Sequence, residues 1–105
     1  MLPATEFVPL GRWVMIVDDD IETTVFLEME AAGGLSGLVE SEADDQPEPF
    51  KGRFTWTPAR RALWLHFEFE DDEPESFELI FEGRTKDGFV ALDDEQVAYV
   101  FMPAT

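Results

Sequence analysis

The stretch Phe50-Lys51-Gly52-Arg53-Phe54-Thr55-Trp56, followed after Pro58-Ala59-Arg60 by Leu63-Trp64-Leu65-His66-Phe67-Glu68-Phe69, decides the fold. Apolar side chains recur at every second position of both halves. A period of two belongs to strands with one buried and one wet face. Pairing Trp56 with Leu63 in a hairpin sets Phe54 opposite Leu65, Gly52 opposite Phe67 and Phe50 opposite Phe69, all inward. The outer face then matches Lys51 with Glu68, Arg53 with His66 and Thr55 with Trp64. A slip of one residue would drive Lys51 and Arg53 into the core.

The same parity extends outward in both directions, through Trp13, Met15 and Val17; Val25, Leu27 and Met29; Phe77, Leu79 and Phe81; and Val97, Tyr99 and Phe101. Eight strands are predicted, near 11–17, 21–30, 34–42, 50–57, 61–70, 76–83, 87–92 and 96–102. Asp18-Asp19-Asp20, Ala31-Ala32-Gly33-Gly34, the segment 43–49, Pro58-Ala59-Arg60, Asp71-Asp72-Glu73-Pro74, Arg84-Thr85-Lys86 and Asp93-Asp94-Glu95 separate them. Glycine, proline and aspartate suit turns through positive φ, fixed φ and local side-chain hydrogen bonds. Tight connections would pair Trp13 with Val25, Met29 with Leu35, Phe69 with Phe77, Phe81 with Phe89, and Phe89 with Tyr99. Asp93-Asp94-Glu95-Gln96 could also open a helix as a capping box, but the β-branched and aromatic run that follows favours a strand.

A chain of 105 residues makes one domain with one core. The expected fold class is all-β: an eight-stranded antiparallel up-and-down meander barrel, since closure removes both sheet edges. A β-sandwich or partly open barrel is the alternative. The domain spans 1–105, with 1–10 as an N-terminal arm. Gly11-Arg12-Trp13 on the first strand resembles the lipocalin Gly-x-Trp element. Phe81-Glu82-Gly83 followed by Asp87-Gly88-Phe89 is similar in style to late calycin hairpins. The resemblance to calycins, the lipocalin and avidin type of barrel, is at the level of architecture. It implies an up-and-down barrel and the option of a small ligand inside.

Charge gives the chain its second character. Twenty-four acids against seven bases leave a net charge of −17. Such a balance opposes direct binding to nucleic acid or to anionic membranes and favours cationic partners; halophilic adaptation is another source of acid excess. In a meander the first, third, fifth and seventh connections share one end. There they collect Asp18, Asp19, Asp20, Glu40, Glu42, Asp44, Asp45, Glu48, Asp71, Asp72, Glu73, Glu75, Asp93, Asp94 and Glu95, and no base. Arg12, Arg60, Arg61, Arg84 and Lys86 gather at the other end. The expected partner-binding residues are Asp18, Asp19, Asp20, Glu42, Asp44, Asp45, Glu48, Asp71, Asp72, Glu73, Asp93 and Asp94.

The expected function is therefore a small acidic binding or inhibitory protein. It would dock a basic protein surface, with mimicry of a nucleic acid as the narrower version. The alternative is a carrier of a small apolar or amine-bearing ligand inside the barrel. Eleven of the fourteen aromatics carry inward parity, which favours a filled core over a cavity. Outward parity places Val14, Ile16, Val90, Leu92, Ala98, Val100 and Met102 on strands that become neighbours on closure. Such a patch suits either cover by the arm, through Leu2, Phe7, Val8 and Leu10, or self-association. Val14, Ile16, Val90, Val100 and Met102 are the candidate dimer contacts.

An enzyme is not expected. The single histidine, His66, reads as a surface residue, and no serine or threonine is set beside a histidine and an acid by motif. Exposed rim carboxylates lack the apolar pocket that acid–base work requires. No cofactor is implied: Gly33-Gly34-Leu35-Ser36-Gly37 lacks the lysine and helix of a phosphate loop. Asp18-Asp19-Asp20 and Asp71-Asp72-Glu73 offer hard oxygen ligands but not a calcium loop, so no metal site is expected. The absence of cysteine excludes disulfides and thiolate sites. The first residues lack the basic and apolar regions of a signal peptide, and a cytoplasmic location is the default expectation.

Overall fold

A computed structural model of the chain describes residues 9–18, 23–41 and 46–104. Eight strands form one closed antiparallel barrel in simple sequence order: β1 (Gly11–Val17), β2 (Thr23–Met29), β3 (Gly34–Ser41), β4 (Glu48–Thr57), β5 (Ala62–Phe69), β6 (Glu75–Arg84), β7 (Phe89–Leu92) and β8 (Ala98–Pro103). β8 closes the ring onto β1, with Val14 opposite Met102 and Ile16 opposite Val100. A single turn of 3₁₀ helix at Pro58–Arg60 joins β4 to β5.

The β4–β5 hairpin has the register its sequence implies, from Phe50 opposite Phe69 to Trp56 opposite Leu63. Met29 also faces Leu35. Four other expected pairings are displaced. Trp13 faces Leu27 rather than Val25. Phe77 faces Leu65 rather than Phe69. Phe81 faces Ala91 rather than Phe89, and Phe89 faces Phe101 rather than Tyr99. Every displacement is an even number of residues, so each side chain keeps its face. Burial decides parity, whereas turn geometry decides which pair is formed.

Two local features account for the displacements around β7. A register shift between Phe81 and Gly83 inserts an extra residue into β6. The segment 93–97 is a turn closed by hydrogen bonds from Gln96 N to Asp93 O and from Asp93 N to Val97 O. Gln96 takes a left-handed φ of 68°. That turn rules out a helix opening at Asp93. The β2–β3 turn has the same pattern, with Gly33 at the left-handed position.

The core is apolar throughout: no polar or charged side chain is buried among the described residues. Met15, Leu63, Leu65, Leu79, Phe89 and Phe101 are almost fully enclosed. The filling is uneven along the barrel axis. Toward the end carrying the 30–33, 58–61 and 85–88 connections, Trp13, Phe54, Trp56, Phe81, Phe89 and Phe101 supply large rings. Trp13 lies edge-on to Phe89 at 5.0 Å, and Phe89 stacks on Phe101 at 4.3 Å. Toward the other end Phe50, Phe67, Phe69, Phe77 and Tyr99 supply rings, beside Val17, Thr23 and Val39, and a cavity is left among them.

Glycine makes the curvature possible. Gly37 and Gly52 both hold inward positions on β3 and β4, where the sheet bends. A Cβ on Gly52 would lie 1.8 Å from the carbonyl oxygen of His66, and one on Gly37 would lie 1.8 Å from that of Phe26. The neighbouring backbones thus occupy the space a side chain needs. Gly52→Ala should destabilise the barrel by at least about 2 kcal/mol. In a thermal melt followed by circular dichroism, that corresponds to a loss of roughly 10 °C or more. A melt unchanged from the parent would show that the strands do not approach so closely.

Candidate functional site

The meander sends the connections between β1 and β2, β3 and β4, β5 and β6, and β7 and β8 to one end of the barrel. At that end Asp18, Glu70, Asp71, Asp72, Glu73, Asp94 and Glu95 are exposed, and Glu48 and Asp93 are half-buried. Of the expected partner-binding residues, Asp19, Asp20, Glu42, Asp44 and Asp45 lie outside the described residues. All seven bases are described, and none belongs to these four connections.

The bases are engaged elsewhere on the molecule. Arg12 forms an ion pair with Glu28 at 3.3 Å, and Arg60 lies 3.6 Å from Glu78. Arg61 donates to the carbonyl of Glu82 and sits over the Phe81 ring, 5.3 Å from its centroid. The charge separation therefore runs along the barrel axis, with the bases on the strands and at the opposite end.

The acids at the negative end do not all play one part. Asp93 has its carboxylate turned into its own loop. Oδ1 accepts from the backbone N–H groups of Glu95 and Val97, both at 2.9 Å. Oδ2 accepts from the Tyr99 hydroxyl at 3.2 Å. This is turn chemistry, so Asp93 shapes the rim, while Asp71, Asp72, Glu73 and Asp94 are exposed on it.

Glu75 has a distinct position. It begins β6 opposite Phe67, on the same face as Phe77 and Leu79. It lines a cavity of about 180 Å³ at the barrel mouth, together with Val17, Thr23, Phe69, Phe77 and Tyr99. Sequence reasoning placed Glu75 on the rim because it began the strand one residue late; the inward parity of Phe77 was the available signal.

The outward apolar residues are brought together as expected. Val14 faces Met102, Ile16 faces Val100, and Val90 also faces Val100. The face continues through Phe26 and Leu38, opposite one another and about two-fifths exposed. On the other flank Leu92 faces both Ala98 and Ile80.

His66 lies beside Trp64 and Glu68 as its register implies, and Ser76 is the one neighbour not foreseen. His66 Nδ1 is within hydrogen-bonding distance of Ser76 Oγ, and its Nε2 lies 3.6 Å from Glu68 Oε1. Trp64 stacks on the imidazole with an interplanar angle of 7°. The set has the residue types of a serine nucleophile, base and acid. It lies on the outer face of β5 and β6, however, where β5 is paired on both sides. The expected register of β5 and β6 was four residues off, which hid the approach of Ser76 to His66. Among the described residues, no group of three or more acids and histidines converges on a common metal position.

These roles separate by mutation. Asp93→Ala should lower stability by about 1–2 kcal/mol through loss of the turn bonds. Asp71→Ala or Asp72→Ala, which relieves repulsion, should leave stability within about 0.5 kcal/mol or raise it. Denaturant titration measures both, and equal losses at all three positions would contradict the division. No protein-family model, curated protein or solved structure matches this chain.

Proposed function

We propose that this chain is a small acidic binding protein whose negative barrel end docks a basic protein surface. The observation that carries the reading is the separation of charge along the axis. Four connections at one end are rich in acids and hold none of the seven bases. Crowded carboxylates repel one another and destabilise the fold at low salt. A basic surface relieves that repulsion on docking and is steered toward it from a distance. The partner class is one with a cationic face, including proteins whose own ligand is a polyanion that such a rim would imitate. Binding rather than catalysis is the proposed activity, at a cytoplasmic site. The calycin resemblance is proposed as one of architecture alone.

The apolar outer face of β7, β8 and β1 supports a second contact, a homodimer formed side by side. In that arrangement the negative ends need not meet. Sedimentation of the parent and of Val100→Lys tests it: a dimer that the substitution dissociates supports the contact, and a monomeric parent removes it.

Two measurements test the docking reading. Raising salt from about 0.01 M to about 0.5 M shortens the screening length several-fold and should raise Tm by several degrees; a flat response would show that the rim carries no appreciable repulsion. An oligolysine peptide titrated into the full chain should bind with an affinity that falls steeply with salt. The triple change Asp71→Asn, Asp72→Asn, Glu73→Gln should weaken it about tenfold, equivalent to about 1.4 kcal/mol. Equal weakening by Glu28→Gln and Glu82→Gln, away from the rim, would mean that net charge alone is sensed and would overturn the docking site.

A further inference from the structure

We propose that the barrel mouth is a receptor for one arginine side chain of the basic partner. This rests on the docking reading and adds an anchor point to it. The cavity of about 180 Å³ opens at the same end as the acidic connections. At about 30 Å³ per water, it equals roughly six water volumes. It is smaller than the 300 Å³ or so at which pockets for whole small ligands begin. A guanidinium with two or three methylenes is of matching size.

The lining selects the chemistry. Phe67, Phe77 and Tyr99 follow one another around the wall, with centroid separations of 5.3 Å and 5.7 Å. Phe69 adds a further ring, 6.4 Å from Phe67. Aromatic faces attract cations and receive the planar guanidinium by stacking. Glu75 stands at the lip, exposed and at an inward position, so a cation entering past it gains a carboxylate partner. Glu48 holds inward parity at the neighbouring strand end, opposite Val39, which also lines the cavity.

Other occupants fit less well. A wholly apolar ligand would desolvate the Glu75 carboxylate without giving it a partner. An anion would meet the field of the whole rim. A lysine ammonium is more strongly hydrated than guanidinium and loses more on entering an aromatic wall. The arrangement therefore reads a side chain that is cationic, weakly hydrated and flat.

The test uses the full, isotope-labelled chain and acetyl-arginine methylamide as the probe, followed by nuclear magnetic resonance. Saturable shifts are expected in the ring signals of Phe69, Phe77 and Tyr99 and in the methyl groups of Val17. Acetyl-lysine methylamide should bind more weakly, by about threefold or more. Glu75→Gln, at an exposed position that folding tolerates, should weaken the arginine probe about tenfold. Val39→Phe should fill the cavity and abolish the ring shifts while leaving oligolysine affinity within about twofold. Shifts confined to the amides of exposed acids, or an arginine affinity unmoved by both substitutions, would overturn the receptor. Ring shifts without oligolysine binding would support the receptor and overturn the docking reading alone.

Discussion

The ladder between β1 and β8 is the constraint on which the rest depends. Once Ile16 pairs with Val100 and Val14 with Met102, the sheet has no free edge and every strand has two neighbours. Closure turns the alternation of side chains into an inside and an outside. The up-and-down strand order fixes the ends: alternate connections must lie at the same pole. The four acidic connections thus share one pole through the topology of hydrogen bonding. An open sheet of the same strand order would keep these connections at one end but leave two strand edges unpaired.

Closure also forces the glycines. A ring of strands curves most where backbones approach most closely, and Gly37 and Gly52 hold inward positions at such places. Their missing side chains leave room that the backbones of Phe26 and His66 occupy from adjacent strands. Large rings line the barrel elsewhere. Full burial of each large apolar side chain contributes about 1.5–3 kcal/mol. That reservoir can offset the cost of crowding carboxylates at the acidic pole.

Much of this was legible in the sequence, for a physical reason. Parity survives any displacement by an even number of residues, so the inside, the outside and the sharing of one pole by alternate connections could all be read from alternation. The residue-level register was legible where the turn chemistry was unambiguous, as at Pro58-Ala59-Arg60 and at Gly33. It was not legible at 93–97, where glutamine adopts a conformation usually left to glycine, or at the irregularity beside Gly83. The β5–β6 register was displaced as well, so the contact of His66 with Ser76 could not be anticipated. The division of labour among the acids was hidden for a related reason. Asp93 and Asp71 look alike in the chain, and only the hydrogen bonds of the folded turn distinguish them.

The site candidate follows from two features that share one end of the barrel. Acidic connections gather there, and a cavity opens beneath them, lined by valine, threonine, Glu75 and the rings of Phe67, Phe69, Phe77 and Tyr99. A void beneath a field of one sign differs from a void in a neutral core, because the same carboxylates that destabilise the empty mouth stabilise a cation within it. Filling the mouth with another phenylalanine would be the simpler route to stability for a barrel already rich in rings. A chain that keeps Thr23, Val39 and Glu75 there leaves a cavity beneath its acidic connections, and that coincidence supports the proposed binding role for this pole.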